Sequence, residues 1–324
     1  MQSQNYTSPK AMAPIESRIP QDCAGLRLDI ALARVFSDFS RSRLQRWIGE
    51  GYVLLDGVEA TAKSKVWGGE QVTLRVPDLA QGEQVLPENI PMQVVYEDAA
   101  VIVVNKPPGL VVHPGNGHRT GTLQNALLHY DDRLGLVPRC GIVHRLDKDT
   151  SGLMVVARTL GAHADLVRQL QARTVHRHYW ALVQGHVRDD LTIEAPIGRH
   201  PTQRTRMAVV SGGRPALTHM MIVERFPCHT WIECRLETGR THQIRVHLLH
   251  LGFPLAGDPV YGGRKIRLDV HSQQALGSFG RQALHAFRLG LVHPQSGNPM
   301  AWEIPMAPDM ATLMTALRGA RHDA

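Results

Sequence analysis

Six residues dense in ionisable groups, His144, Arg145, Leu146, Asp147, Lys148 and Asp149, lie between two apolar runs of this 324-residue chain. Ile142 and Val143 lead in, Thr150-Ser151-Gly152 break the pattern, and residues 153–157 (LMVVA) lead out. Apolar runs around a short charged loop predict strand, loop, strand, the usual way a rigid scaffold presents reactive groups. Asp147 follows Arg145 by two residues, and close cationic neighbours keep such a carboxylate ionised at neutral pH. Composition alone says no more about the chemistry of this loop. A plainer reading also holds, because turns recruit Asp, Lys, Ser and Gly on conformational grounds alone. A third reading pairs Asp147 with Asp149 around a divalent cation. The positive charges of Lys148 and Arg145 argue against it.

The elements that must position this loop read as strand-rich. From about residue 93, Val94–Tyr96 and Val101–Val104 form a probable hairpin, followed by the Pro/Gly loop NKPPGLVVHPG (105–115). Residues 122–130 and 163–173 carry helical apolar stripes, and 179–183 reads as a strand. Two longer strands, about 216–225 and 230–237, bracket a turn. Residues 243–251 form a short helix, 283–292 pairs with 300–304, and 310–317 closes the chain as a helix. Hairpins outnumber crossovers, so the expected class is α+β with a long mixed, mainly antiparallel sheet.

Upstream, residues 21–78 read as a separate unit. Leu28, Leu32 and Val35 lie on one helical face. Ser40 is placed as the N-cap of a second helix that turns Leu44, Trp47 and Ile48 inward and Arg41, Arg43 and Arg46 outward. Asp56-Gly57 marks a hairpin turn. Residues 1–20 are polar and Pro-containing and read as a flexible tail, 79–92 as a linker, and 93–320 as the catalytic domain.

Composition bounds the partners. The net charge of +7 favours a polyanion. The four cysteines form no zinc-like spacing and read as reduced thiols. No apolar run approaches the roughly 18 residues of a membrane span, and the tail lacks the apolar segment of a secretory signal. Both point to a cytoplasmic protein. The histidines His242, His247 and His250 are read as structural rather than as metal ligands, since no carboxylate or cysteine joins them. No phosphate-binding glycine loop, dinucleotide fingerprint, deaminase signature or hydrolase elbow is present. No metal and no cofactor is expected.

The nine residues HRLDKDTSG resemble the defining motif of the RluA-type pseudouridine synthases, and further segments resemble that family's other motifs in order. These are NKPPGLVVHPG, HYWA (178–181), LETGRTHQIRVH (236–247), GDPVYGG (257–263) and LHA (284–286). The run SRSRLQRWIGEGYVLLDG resembles the small α-L module of ribosomal protein S-four, in which the basic helix contacts RNA phosphates. The family resemblance implies that Asp147 is the catalytic nucleophile, that Arg245 pairs with it, and that Tyr179 stacks on the uracil and serves as a base. It implies substrate contacts for His144, for Arg145 in the place vacated by the base, and for Ile244 beneath it. Arg199, Arg204 and Arg206 on a projecting hairpin, with Arg41, Arg43 and Arg46 in the module, would grip the RNA. The implied activity is isomerisation of uridine to pseudouridine in 23S ribosomal RNA or a pre-50S particle, at the helix 69 stem-loop, by a monomer. The rival is an RNA-binding assembly factor with an idle site.

Overall fold

The computed structural model describes residues 14–36, 39, 41–75, 85–114, 120–263 and 270–319, the side chains of Ser42, Arg43 and His271 excepted. Contacts divide the chain into two compact units, Met1–Gln84 and Val85–Ala324.

The first unit contains β1 (Ile15–Arg18), α1 (Leu28–Val35), α2 (Arg41–Gly49), β2 (Val53–Leu55), β3 (Val58–Glu59) and β4 (Gln71–Leu74). Its four strands are ordered β1-β4-β2-β3. Leu28, Leu32, Leu44, Trp47 and Ile48 from the two helices bury against Val53, Val72 and Leu74. The β2–β3 turn takes positive φ at Asp56 and Gly57, as a tight hairpin requires. Residues 15–18 were expected in the tail. They instead pair with β4, because Ile15 packs against this core. Ser40, the expected cap of α2, lies outside the described residues.

The second unit continues with β5 (Gln93–Glu97), β6 (Val101–Lys106), α3 (Leu123–Tyr130), β7 (Ser151–Ala157), α4 (Leu160–Gln171), β8 (His176–Gln184) and β9 (Leu191–Glu194). A short ribbon follows, β10 (Ile197–Arg199) and β11 (Met207–Val209), then β12 (Leu217–Arg225), β13 (His229–Leu236) and α5 (Gln243–His250). The chain ends with α6 (Val270–Phe279), β14 (Leu284–Val292), β15 (Pro299–Glu303) and α7 (Pro308–Gly319). The main sheet runs β5-β6-β7-β14-β8-β13-β12-β9, with β15 also on β14. Its β7–β14 pair is parallel and the remaining pairs are antiparallel.

Both faces of this sheet are covered, which is why residues 101–104 of β6 and 153–157 of β7 are unbroken apolar runs rather than alternating. Ile102, Val104, Met154, Val156, Tyr179 and Ala181 face α3 and α5. Val101, Val103, Leu153, Val155 and Ala157 face α4. Leu182 meets α7 through Met310 and Leu313. The helix α3 begins with a reciprocal capping box between Thr122 and Asn125. Strand β9 and helix α6 were not anticipated. The sequence of α6, VHSQQALGSF, carries a weak apolar stripe and an internal glycine.

Two features seat the loop that precedes β7. Gly152 (φ +117°) lies so close to β14 that a Cβ would sit 2.2 Å from the Ala286 carbonyl oxygen. Only glycine permits this approach. Lys106, at the end of β6, is fully buried, and its ammonium donates to the carbonyl oxygens of Pro107 (2.7 Å), Leu110 (2.9 Å) and Lys148 (2.8 Å). Three acceptors match the three donors of an ammonium. Burial pushes Lys106 down to about 7 from an ordinary value of 10.5, against the pull of Asp149 and Asp147. The unfolded chain therefore holds more protons between these two values, and the contribution of Lys106 to stability rises with pH across that window. Below about 7 both states are protonated and the desolvation cost stands in full. Relative to Lys106→Met, the wild-type unfolding free energy is expected to climb by about 1.4 kcal/mol per pH unit between roughly pH 7.5 and 9.5. Urea unfolding of both proteins across that range measures this, and a flat difference contradicts the lowered pKa of Lys106.

Candidate active site

The charged loop carries no strand on its N-terminal side. Ile142 makes one isolated bridge to Val156, and the expected first strand is replaced by a tight turn at residues 138–141. Arg139 and Cys140 both take left-handed backbone there (φ +54° and +52°), so the extended pairing cannot propagate. The loop is anchored instead by its own residues. Leu146 is buried in the core beneath the cleft, which contributes on the order of 1.5–3 kcal/mol. His144 turns inward, and its Nε2 accepts the Val155 N–H at 3.0 Å. Burial, with Arg177 nearby, brings His144 down to about 3, so it is neutral. That bond makes His144 first a support of the loop.

From behind, Arg281 donates to the Asp149 carbonyl (3.0 Å) and is held by Asp309 of α7 at 2.6 and 2.8 Å. Gln282 donates to the Thr150 hydroxyl at 3.1 Å. Asp149 therefore contributes a backbone acceptor to loop order. Among the described residues, no three His, Cys, Asp or Glu side chains converge as a metal-binding set.

Across the cleft, α5 supplies Arg245, 98 residues along the chain. Its Nη1 donates to Asp147 Oδ2 at 2.9 Å. Its Nε and Nη2 donate to the two oxygens of Asp258 at 2.7 and 2.9 Å. The Asp258 side chain is fully buried, and its Oδ1 also accepts the N–H groups of Val260 and Tyr261. Burial resists the charge on Asp258, but Arg245 overcomes it and holds the carboxyl below its ordinary value. Arg245 meets the same resistance and, through Asp258 and Asp147, lies above its ordinary value. The guanidinium also sits 4.8 Å from the Tyr261 ring centroid.

His242 precedes α5 in a left-handed conformation (φ +57°). The Tyr261 hydroxyl accepts from Met207 N–H at 2.8 Å and shares a hydrogen bond with His242 Nδ1, also at 2.8 Å. His242 Nε2 faces Asp147 Oδ1 at 3.9 Å. Burial lowers the pKa of His242 despite Asp147. Gln243 fixes the start of the helix by accepting from Thr238 (2.8 Å) and the Arg240 N–H (3.0 Å) and donating to Leu217 O (3.0 Å). His247 bridges Thr218 and Ala195 and is structural.

Asp147, Tyr179, Ile244, Arg245 and Arg145 line one cleft, so five of the predicted residues converge. Tyr179 is buried on β8, and burial raises its pKa, with Arg177 opposing and Asp147 reinforcing. The ribbon arginines sit apart from the chemistry. Arg199 and Arg204 are exposed, while Arg206 bonds Gln203 (2.8 Å) and lies 5.3 Å from the Tyr261 ring centroid.

In the N-terminal unit Arg41 is committed to buried Asp29 at 2.7 Å, together with Arg27 at 3.0 Å and Gln45. Half of its side chain remains exposed, but its charge is compensated locally. Arg46 is exposed, 3.7 Å from Glu50. The Arg43 side chain lies outside the described residues. Sequence reasoning passed over Asp258, Tyr261, Lys106 and Arg281 and read His242 as structural. GDPVYGG did carry a signal, a carboxylate followed at once by backbone donors in a turn, but nothing linked it to Arg245.

No helix among the described residues is long and apolar enough to cross a membrane. Residues 100–250 match the family described as RNA pseudouridylate synthase, and residues 26–72 match the S4 domain. The chain is 53% identical over 308 residues to the ribosomal large subunit pseudouridine synthase D of Nitrosomonas europaea, across 95% of this chain and 89% of that protein. It is 49% identical over 308 residues to the protein of the same name in Escherichia coli, across 94% of each. Among solved structures it resembles human RNA pseudouridylate synthase domain containing 4, with TM-score 0.55 and 25% identity over 70% of this chain and 93% of that one. Human RNA pseudouridylate synthase domain containing 1 gives TM-score 0.52 and 26% identity over 71% and 96%. The chain belongs to the RNA pseudouridylate synthase family and is an enzyme that isomerises uridine in RNA to pseudouridine.

Proposed function

We propose that the substrate is 23S ribosomal RNA, at uridines of the helix 69 stem-loop, and that Asp147 is the group that starts the reaction. The names of the relatives, each a ribosomal large subunit pseudouridine synthase D, support large-subunit ribosomal RNA as the substrate, and helix 69 rests on the resemblance of the sequence motifs alone. The Asp147–Arg245 contact of 2.9 Å supports the second statement. Phosphate contacts from the exposed arginines hold the RNA with salt-dependent affinity. A loop uridine leaves its stack and enters the cleft, and exposed Arg145 takes the vacated place.

The Asp147 carboxylate then attacks the ribose or acts as a base, and the C1′–N1 bond breaks in either case. Arg245 orients the carboxylate, and Asp258 fixes Arg245. The freed uracil rotates against Tyr179 and Ile244 and bonds to C1′ through C5. The proton on C5 passes finally to Tyr179 or to water. Substrate and product are isomers, so atoms and electrons balance within one nucleotide.

Asp147→Asn keeps the size of the side chain and removes the anionic oxygen. Tritium release from RNA containing C5-labelled uridine is expected to fall by at least roughly 10³-fold, with the dissociation constant for RNA nearly unchanged. Turnover at the wild-type rate would remove Asp147 from the mechanism.

A further inference from the structure

Three arginines among the described residues of the catalytic unit are buried: Arg245 (4% exposed), Arg281 (6%) and Arg177 (7%). A guanidinium out of water is costly unless an anion accompanies it. Arg245 has Asp147 and Asp258, and Arg281 has Asp309. Arg177 has no carboxylate partner among the described residues. Its hydrogen bond is a long one, 3.3 Å from Nη2 to the Glu237 carbonyl, and its Nε is buried without a partner. The nearby Glu237 carboxylate is engaged by His219 at 2.8 Å.

Arg177 precedes Tyr179 by two residues on β8, so both side chains leave the same face of the strand. It forms the wall between two cavities. One is the uridine cleft, with Asp147 and Tyr179. The other, about 270 Å³, is lined by His113, Arg139, Arg145 and Arg177, with no acidic side chain among the described residues. Neither Arg139 nor Arg145 has an ion-pair partner among the described residues. Arg139 is held at the rim by the left-handed turn it shares with Cys140, a conformation that costs energy in a non-glycine residue. Gly239 closes the opposite side, where a Cβ would lie 2.8 Å from Arg177 Nη1. The positive field is felt locally, since His113 is lowered by burial and then by Arg145.

We propose that Arg177 is a phosphate anchor: its buried guanidinium binds a backbone phosphodiester of the substrate RNA beside the flipped uridine, with Arg139 closing over it from the rim. The assignment rests on the RNA isomerase reading of the cleft. It commits to the RNA backbone rather than to a free phosphate ion, because Arg145, Arg177 and Gly239 line both cavities and so join the anion site to the base site. Arg177 is thereby a substrate-positioning residue, and binding of the RNA completes its coordination.

The test uses the full chain and RNA stem-loops in which single phosphodiesters around the target uridine are replaced by neutral methylphosphonates. Wild type should lose about tenfold in affinity or kcat/KM at one linkage, the scale of a charged hydrogen bond. Arg177→Gln should show that loss on unmodified RNA, be indifferent to the same linkage, and flatten the salt dependence of log K by about 0.7 to 1. Arg177→Lys should recover part of the linkage sensitivity. Penalties that simply add in Arg177→Gln would overturn the assignment. If the Gln variant does not fold, Arg177→Lys decides alone, and a methylphosphonate penalty identical to wild type overturns it. Competition by millimolar inorganic phosphate without any linkage-specific effect would assign a free anion instead. An inactive wild type on unmodified RNA would fail the functional reading, whereas additive penalties in an active enzyme fail only this assignment.

Discussion

One guanidinium is shared by two carboxylates, and the arrangement of the cleft depends on it. Arg245 spends its Nε and Nη2 on Asp258 and its Nη1 on Asp147. The bidentate fork to Asp258 fixes the plane of the guanidinium, so the bond that remains for Asp147 has a set direction. Without Asp258, a single Arg–Asp pair would be free to swing about its long side chains. With it, the Asp147 carboxylate is aimed from a buried and charge-balanced support.

The opposite half of the cleft is held by different means. Asp147 sits on an irregular loop, and such a loop is precise only if its backbone groups are taken up elsewhere. Lys106 takes the Lys148 carbonyl, Arg281 takes that of Asp149, and Gln282 takes the Thr150 hydroxyl. Leu146 fills the core below, and Gly152 lets β7 close on β14. These partners come from β6, from the segment before β14 and, through Asp309, from α7. The reactive carboxylate is thereby located by the whole catalytic unit rather than by its own sequence neighbourhood.

That distribution explains what the sequence revealed and what it withheld. Periodicity located α1, α3, α4 and the β12–β13 hairpin, because each buries one face or stripe. It did not locate α6, whose apolar stripe is weak, or β1, whose polar residues hide a four-residue edge strand. The strand expected at Ile142 failed because Arg139 and Cys140 adopt left-handed backbone, which no propensity signals in non-glycine residues. At the site, HRLD and LETGRTHQIRVH were legible as motifs, and Asp147 and Arg245 meet. Asp258 and Tyr261 stood in the GDPVYGG segment without an assigned role, since that role exists only through a contact with a helix 13 or more residues away. Arg41 looked like a phosphate contact because its helix face is basic, yet buried Asp29 claims it. A charge on a surface pattern does not disclose a carboxylate beneath it.

The central claim is that Asp258 acts on the chemistry through Arg245 without touching the substrate. Single-turnover pseudouridine formation by Asp258→Asn, alongside its RNA dissociation constant, tests this most directly. Asparagine keeps the volume but breaks the charged fork. The rate constant should fall by roughly 10²-fold, the cost of misplacing a reacting group, while RNA affinity stays within a few-fold of wild type. A folded Asp258→Asn enzyme with the wild-type rate constant, or one whose loss lies entirely in RNA binding, would contradict it.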